Sequence, residues 1–260
     1  FSIETSQQAH DAALTALSYT RGGEYLVTGG EGGEIRYWQV TLNNVKEFSA
    51  HAAAVRTISF CPTDAKFATG SDDATVKVWD FERGAMERLL PGEGIDPGKS
   101  HRWDVRCVEW HPRAALVLSA SKHHSCKLWD PRAPRESAVL HQHKGSVQEA
   151  RWHPAGNHFA SGGRDQVVKI FDVRTMRESA AFKGHQREVT SLAWHPFQHE
   201  LLASGDSGGS VLYWSTLRED RQMGVSASPG HQRAHEQAVL GLRWHPLGHL
   251  LASFSPDSPP

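Results

Sequence analysis

Short runs of alternating apolar and polar residues recur along this chain. In Val76-Lys77-Val78-Trp79 apolar and basic side chains alternate at a period of two, the pattern of a half-buried strand. Gly and Asp clusters such as Gly70-Ser71-Asp72-Asp73 interrupt the runs and supply turns. The pattern predicts many short strands joined by tight turns, an all-β protein.

The strands fall into a repeat. Trp-His-Pro occurs at Trp110-His111-Pro112, Trp152-His153-Pro154, Trp194-His195-Pro196 and Trp244-His245-Pro246, and Phe60-Cys61-Pro62 fills the same slot. A His stands nine residues before each of these aromatics: His51, His101, His143, His185 and His235. His10, with Tyr19, begins a sixth copy. Four residues after five of these His stands a Val, at Val55, Val105, Val147, Val189 and Val239. A second aromatic follows the repeat His by 28 residues at Trp38, Trp79, Trp129 and Phe171, and by 29 at Trp214. Asp follows it at Asp80, Asp130 and Asp172.

A period of roughly 40–45 residues closing on Trp-Asp resembles the WD repeat, which builds one four-stranded propeller blade per copy. The resemblance implies a single WD-repeat β-propeller fragment over residues 1–260, with repeats starting near 10, 51, 101, 143, 185 and 235. Five full blades are expected. Residues Phe1 to Gln8 read as the outer strand of an earlier blade. The last copy reads as an inner half that runs into Pro256-Asp257-Ser258-Pro259-Pro260. A seven-bladed ring accounts for these parts. A chain that starts at Phe1 reads as a fragment, with open edges that invite pairing. Residues 90–100 and 222–230 read as long surface loops.

Composition narrows the function. With 38 % hydrophobic and 22 % charged residues the chain has a globular balance. No apolar run approaches the roughly 18–20 residues of a membrane helix, so no membrane role is expected. Three cysteines, Cys61, Cys107 and Cys126, fit a reducing compartment rather than a disulfide framework. A net charge of -1 lacks the basic excess of a protein that lives on nucleic-acid phosphates, so any such role is local.

Recurring His, Ser and Asp suggest a catalytic triad. The WD resemblance implies a structural network instead. In it the repeat His bonds an Asp in the turn between the second and third strands, and a Ser or Thr and the Trp nitrogen complete the set. His51, Thr69, Asp73 and Trp79 form the clearest copy; His143, Ser161 and Asp165, with Phe171 for Trp, form another. Where Asp73 stands, other copies have His123, Gly208 and Gly32, so those blades are expected to rely more on packing. His123-His124 and His141-Gln142-His143 lack ligands at metal spacing, so neither metal nor cofactor is expected. Gly29-Gly30-Glu31-Gly32-Gly33 lacks the Lys-Ser/Thr and helix of a phosphate loop.

Several segments go beyond the general repeat. Tyr37-Trp38 is followed by Asn43-Asn44-Val45-Lys46 and Phe48-Ser49-Ala50-His51. Farther on come Pro62 to Thr69, Val76 to Phe81, Val105 to Pro112 and Trp244-His245-Pro246-Leu247-Gly248-His249. In this order they resemble the WD-repeat subunit of the cleavage and polyadenylation specificity factor. That family includes the yeast polyadenylation factor subunit and the plant flowering-time protein FY. The resemblance implies a non-catalytic nuclear role in making messenger RNA 3′ ends. The propeller would dock on the large multi-propeller subunit and read the AAUAAA signal together with a zinc-finger subunit.

Such reading rests on stacking and edge contacts to unpaired bases. Phe1-Ser2-Ile3-Glu4-Thr5-Ser6 stands where the family pattern reads aromatic-Asn-Phe-Glu-Thr-Ile. Ile3 replaces a stacking aromatic, and one such stack is worth about 1–3 kcal/mol, so binding weakened tenfold or more is implied. Phe1 and Ile3 read equally well as strand residues packed on the next blade. Arg36 and Lys46 are further candidate RNA contacts. Lys77, Lys127 and Lys169 recur at one strand position as an effect of the repeat. The alternative is a general WD adaptor for peptides or proteins. An enzyme on a propeller would need an acidic or metal-binding funnel, and the sequence offers no such set.

Overall fold

A computed structural model describes residues 8–63, 65–90, 101, 103–133, 136–141, 143–216, 224–225 and 233–257. Among them the regular structure is entirely strand. β1 (Leu14–Tyr19), β2 (Tyr25–Gly30), β3 (Glu34–Gln39) and β4 (Asn44–Ser49) form one four-stranded sheet in chain order. β5 (Val55–Phe60), β6 (Lys66–Ser71), β7 (Val76–Asp80) and β8 (Ala85–Leu90) form the second. β9 (Val105–Trp110), β10 (Val117–Ser121), β11 (Cys126–Trp129) and β12 (Glu136–Leu140) form the third. β13 (Val147–Trp152), β14 (His158–Gly163), β15 (Val167–Asp172) and β16 (Arg177–Lys183) form the fourth. β17 (Val189–Trp194), β18 (Leu201–Asp206), β19 (Val211–Ser215) and β20 (Gly224–Val225) form the fifth. β21 (Gly241–Trp244) and β22 (Leu251–Phe254) make a two-stranded hairpin. This is the all-β architecture of a WD-repeat propeller. Residues 91–100, 222–223 and 226–230 of the two long connections and Phe1 to Gln7 lie outside the described residues, while Gly224–Val225 of the second connection form β20.

The chain divides into two compact units. One comprises residues 1–111, 115–119 and 129–137; the other comprises 112–114, 120–128 and 138–260. In the first, an aromatic layer joins consecutive sheets. Tyr37, Phe67 and Trp79 are 3 %, 0 % and 5 % exposed, and Phe48, Phe60 and Phe81 pack against them. In the second, Val168, Ile170 and Phe182 of one sheet meet Val189, Leu192 and Trp194 of the next.

The recurring Val has a specific seat within each unit. A Cβ added at Gly29 would stand 2.7 Å from Val55, and one added at Gly70 would stand 2.7 Å from Val105. Gly162 and Val189, and Gly205 and Val239, repeat the fit at 2.6 Å. Each of these four Val plugs a socket that exists only because the second strand of the preceding sheet lacks a side chain there. Side-chain hydroxyls fasten the same seams. Thr15 donates to the Val55 carbonyl, Thr190 to the Val239 carbonyl, and Ser191 accepts the Leu242 N–H.

Candidate functional site

Register sets the recurring His, hydroxyl and indole side by side. Thr69 pairs across the ladder with Ile58 and Lys77, which leaves its hydroxyl beneath the His51 loop. His51 Nε2 lies 2.7 Å from Thr69 Oγ1, and Trp79 Nε1 donates to that oxygen at 2.9 Å. His51 Nδ1 lies 2.9 Å from Asp73 Oδ2. One direction of donation satisfies every group: indole N–H to hydroxyl, hydroxyl to imidazole, imidazole N–H to carboxylate. His143, Ser161 and Asp165 repeat it at 2.6 and 2.9 Å; Phe171 has no N–H and stacks on Phe159 instead.

Two copies that the sequence suggests are degraded are complete. His10 Nδ1 meets Glu34 Oε1 at 2.6 Å, and Thr28 accepts from Trp38 at 2.8 Å. The acid sits two residues after Gly32, and the longer Glu side chain reaches back from β3. His185 Nδ1 meets Asp206 Oδ2 at 2.7 Å, and Ser204 accepts from Trp214 at 2.6 Å. Here the acid lies two residues before Gly208. The expectation that these two blades rely more on packing is therefore corrected. In the third sheet Ser119 lies 2.7 Å from both His101 Nε2 and Trp129 Nε1. The hairpin keeps His235, Ser253 and Asp257.

The hydrogen bonds copy the polarity of a nucleophilic triad, but Thr69, Ser119, Ser161 and Ser204 are all 0 % exposed. Each hydroxyl already serves an imidazole, and no substrate carbon can approach it. Burial alone would raise the carboxyl pKa values. Hydrogen bonds outweigh it, from His51 and Thr75 at Asp73, from His143 at Asp165, and from His185 at Asp206, and all three lie below the ordinary range.

Arg36 holds the strand position of Lys77, two residues before the closing Trp. Arg36 donates to the Ala9 carbonyl at 2.8 Å and Lys77 to the Ala50 carbonyl at 2.6 Å. Both carbonyls belong to the residue before a repeat His. Arg36 also bonds Glu47 at 3.0 Å. Lys46 reaches the carbonyls of Glu82 and Arg83 in the turn between β7 and β8. Arg36 and Lys46 thus both have partners within the first unit, while Phe1 and Ile3 lie outside the described residues. Among the described residues no group of three or more His, Cys, Asp or Glu side chains could hold a metal.

A further repeated set escaped the sequence reading. His153 Nε2 donates to the His199 carbonyl at 2.8 Å, and His195 Nε2 donates to the Gly248 carbonyl at 3.0 Å. Trp194 and Trp244 donate backwards, to the carbonyls of Arg151 and Ala193, each at 3.1 Å. Trp-His-Pro therefore ties the fifth sheet to both the fourth sheet and the hairpin. The spacing of that motif was the available signal.

The profile of the WD domain, G-beta repeat, matches residues 2–39, 42–80, 97–130, 135–172 and 176–215. The chain belongs to this family of WD-repeat propellers. Within it, the chain is similar to a protein named polyadenylation factor subunit 2 in Neurospora crassa, 38 % identical over 146 residues, 56 % of this chain and 21 % of that relative. A protein of the same name in Candida albicans is 43 % identical over 90 residues, 35 % of this chain and 17 % of the relative. The nuclear distribution protein nudF of Aspergillus flavus is 40 % identical over 84 residues, 32 % of this chain and 17 % of the relative. The chain spans about a fifth of the length of these relatives.

Proposed function

We propose that this chain is a non-catalytic recognition and positioning subunit in nuclear pre-mRNA cleavage and polyadenylation. In this reading it docks on a large multi-propeller subunit and, beside a zinc-finger subunit, helps to bind the AAUAAA signal. The observation that carries it is the similarity to polyadenylation factor subunit 2 across more than half of the chain. The buried hydroxyls support the non-catalytic part, because the residues that look like a triad hold the blades together. Phe1, Ile3, Arg36 and Lys46 are the side chains this reading sets against RNA. Because Arg36 and Lys46 have intramolecular partners, Arg36→Ala and Lys46→Ala are to be compared for stability as well as for binding.

The test is binding of a short AAUAAA RNA, against AAGAAA, to the full-length protein assembled with both partner subunits. Moderate salt suppresses unspecific phosphate contacts. Discrimination between the two RNAs is the expected result. An intact complex without discrimination leaves a scaffold that does not read the signal. Failure to assemble favours a general WD adaptor for peptides or proteins.

A further inference from the structure

The second unit contains two kinds of buried imidazole, and they differ in what their Nδ1 atoms face. In the tetrads Nδ1 faces a carboxylate, as in His143 with Asp165 and His185 with Asp206. An added proton there goes to Nε2, whose hydroxyl partner can rotate from donor to acceptor. In the Trp-His-Pro turns Nδ1 faces backbone N–H groups. His153 Nδ1 accepts from Ala155 at 3.1 Å. His195 Nδ1 accepts from Phe197 at 3.1 Å and Gln198 at 2.8 Å. Nε2 of each ring donates to the next sheet. This pattern requires the Nε2–H tautomer, and a backbone N–H cannot reverse its role when Nδ1 gains a proton.

We propose that His153 and His195 form an acid-released clasp between consecutive sheets of the second unit. Neutral, each imidazole closes its own turn and holds the turn of the following sheet. Protonated at Nδ1, each loses the bond to its own turn, the ring is displaced, and the inter-sheet bond goes with it.

The surroundings of His153 favour its neutral form. His153 is packed against the Trp194 indole at 4.8 Å, the His199 ring at 5.2 Å and the His158 ring at 6.3 Å. Burial, then the nearby His199 and His158, hold its pKa below the usual imidazole range, although the bond to the His199 carbonyl opposes them. His158 itself lies 3.9 Å from Asp172. The His195 ring lies 4.6 Å from Trp244 and 6.5 Å from Phe197. Among the described residues no carboxylate is hydrogen-bonded to either ring. Folded His153 resists protonation more than the unfolded chain does. Its contribution is therefore whole above about pH 6.5 and is lost as the pH falls below that value.

Amide hydrogen exchange on the full chain at pH 7.5, 6.5 and 5.5, corrected for intrinsic rates, reads the clasp directly. Protection at Ala155, Phe197 and Gln198 is expected to fall about tenfold between pH 7.5 and 5.5, within the limit of about tenfold per pH unit for one proton. The tetrad turn amides of Gly208 and Ser210 keep their protection. In a His153→Gln, His195→Gln variant a non-titrating donor replaces each imidazole, and the pH-dependent fall disappears. Nitrogen-15 spectra of the wild-type imidazoles provide a second reading that needs no variant, and show the Nε2–H tautomer at pH 7.5. Unchanged protection at pH 5.5, a fall that persists in the Gln variant, or an Nδ1–H tautomer would each overturn the proposal.

Discussion

The Tyr37 ring packs against those of Phe48, Phe67 and Phe81, and its buried hydroxyl has no hydrogen-bond partner among the described residues. Burial, aided by the charge of Asp80, pushes its pKa well above that of an ordinary phenol. A buried polar group without a partner costs about 1–3 kcal/mol. Tyr37→Phe removes the hydroxyl and keeps the ring, so it is expected to stabilise the chain by about 1 kcal/mol. A higher urea midpoint with an unchanged slope would show this, and an unchanged or lower midpoint would refute it. At this scale much was legible. The His-to-hydroxyl interval is 18 residues at His51 and His143, and the hydroxyl-to-Trp interval is 10 at Thr69, because both are fixed by ladder register. The acid was less legible, since it sits on or beside a turn. Glu34 and Asp206 reach the imidazole from positions two residues to either side of the aligned one. The bonding of Arg36 was hard to read for a different reason: its kinship with Lys77 shows only when both are counted back from the closing Trp.

In four of the seams between sheets, the controlling feature is the glycine that receives a Val. The sequence displays the Val series, but nothing in a strand pattern says that its partner is an absent side chain on another sheet. Gly205→Val is the sharp test, because the new Cβ would stand 2.6 Å from Val239. Overpacking of this kind costs about 1–3 kcal/mol, and a loss in that range is expected in urea unfolding. Gly22 provides the control, since its added Cβ would meet only the Glu24 side chain at 3.9 Å. Gly22→Ala is expected to change stability by less than about 1 kcal/mol. Equal effects at both positions would show that the socket does not matter. Backbone strain is placed elsewhere: Leu42 and Met176 take positive φ values of 62° and 53° in the same hairpin turn that Gly84 occupies at 59°.

Across the molecule, stability should fall with acid in two stages. Asp73, Asp165, Asp206 and Glu34 have folded pKa values below their unfolded ones, because hydrogen bonds to the charged form outweigh burial. Their contribution is whole above about pH 4 and is lost as the pH falls through the folded values. His153 adds a smaller loss that begins near pH 6.5. Urea midpoints at pH 7, 5.5, 4 and 3 should thus decline gently and then steeply; a steep decline complete by pH 5 would contradict the assignment. The repeat made the fold readable at this scale, because each copy restates the same register. Surface recognition is not repeated, and it left few marks in the pattern. The Val and its glycine carry one last implication. In the four seams closed by Val55, Val105, Val189 and Val239, one sheet offers the plug and its neighbour the socket, so those sheets join head to tail. Duplicating a whole copy that carries both the Val and the glycine creates a seam of the same kind as the old ones. Such a chain can change its number of copies during evolution without inventing a new contact, whereas a cut through the middle of a copy leaves one plug without a socket.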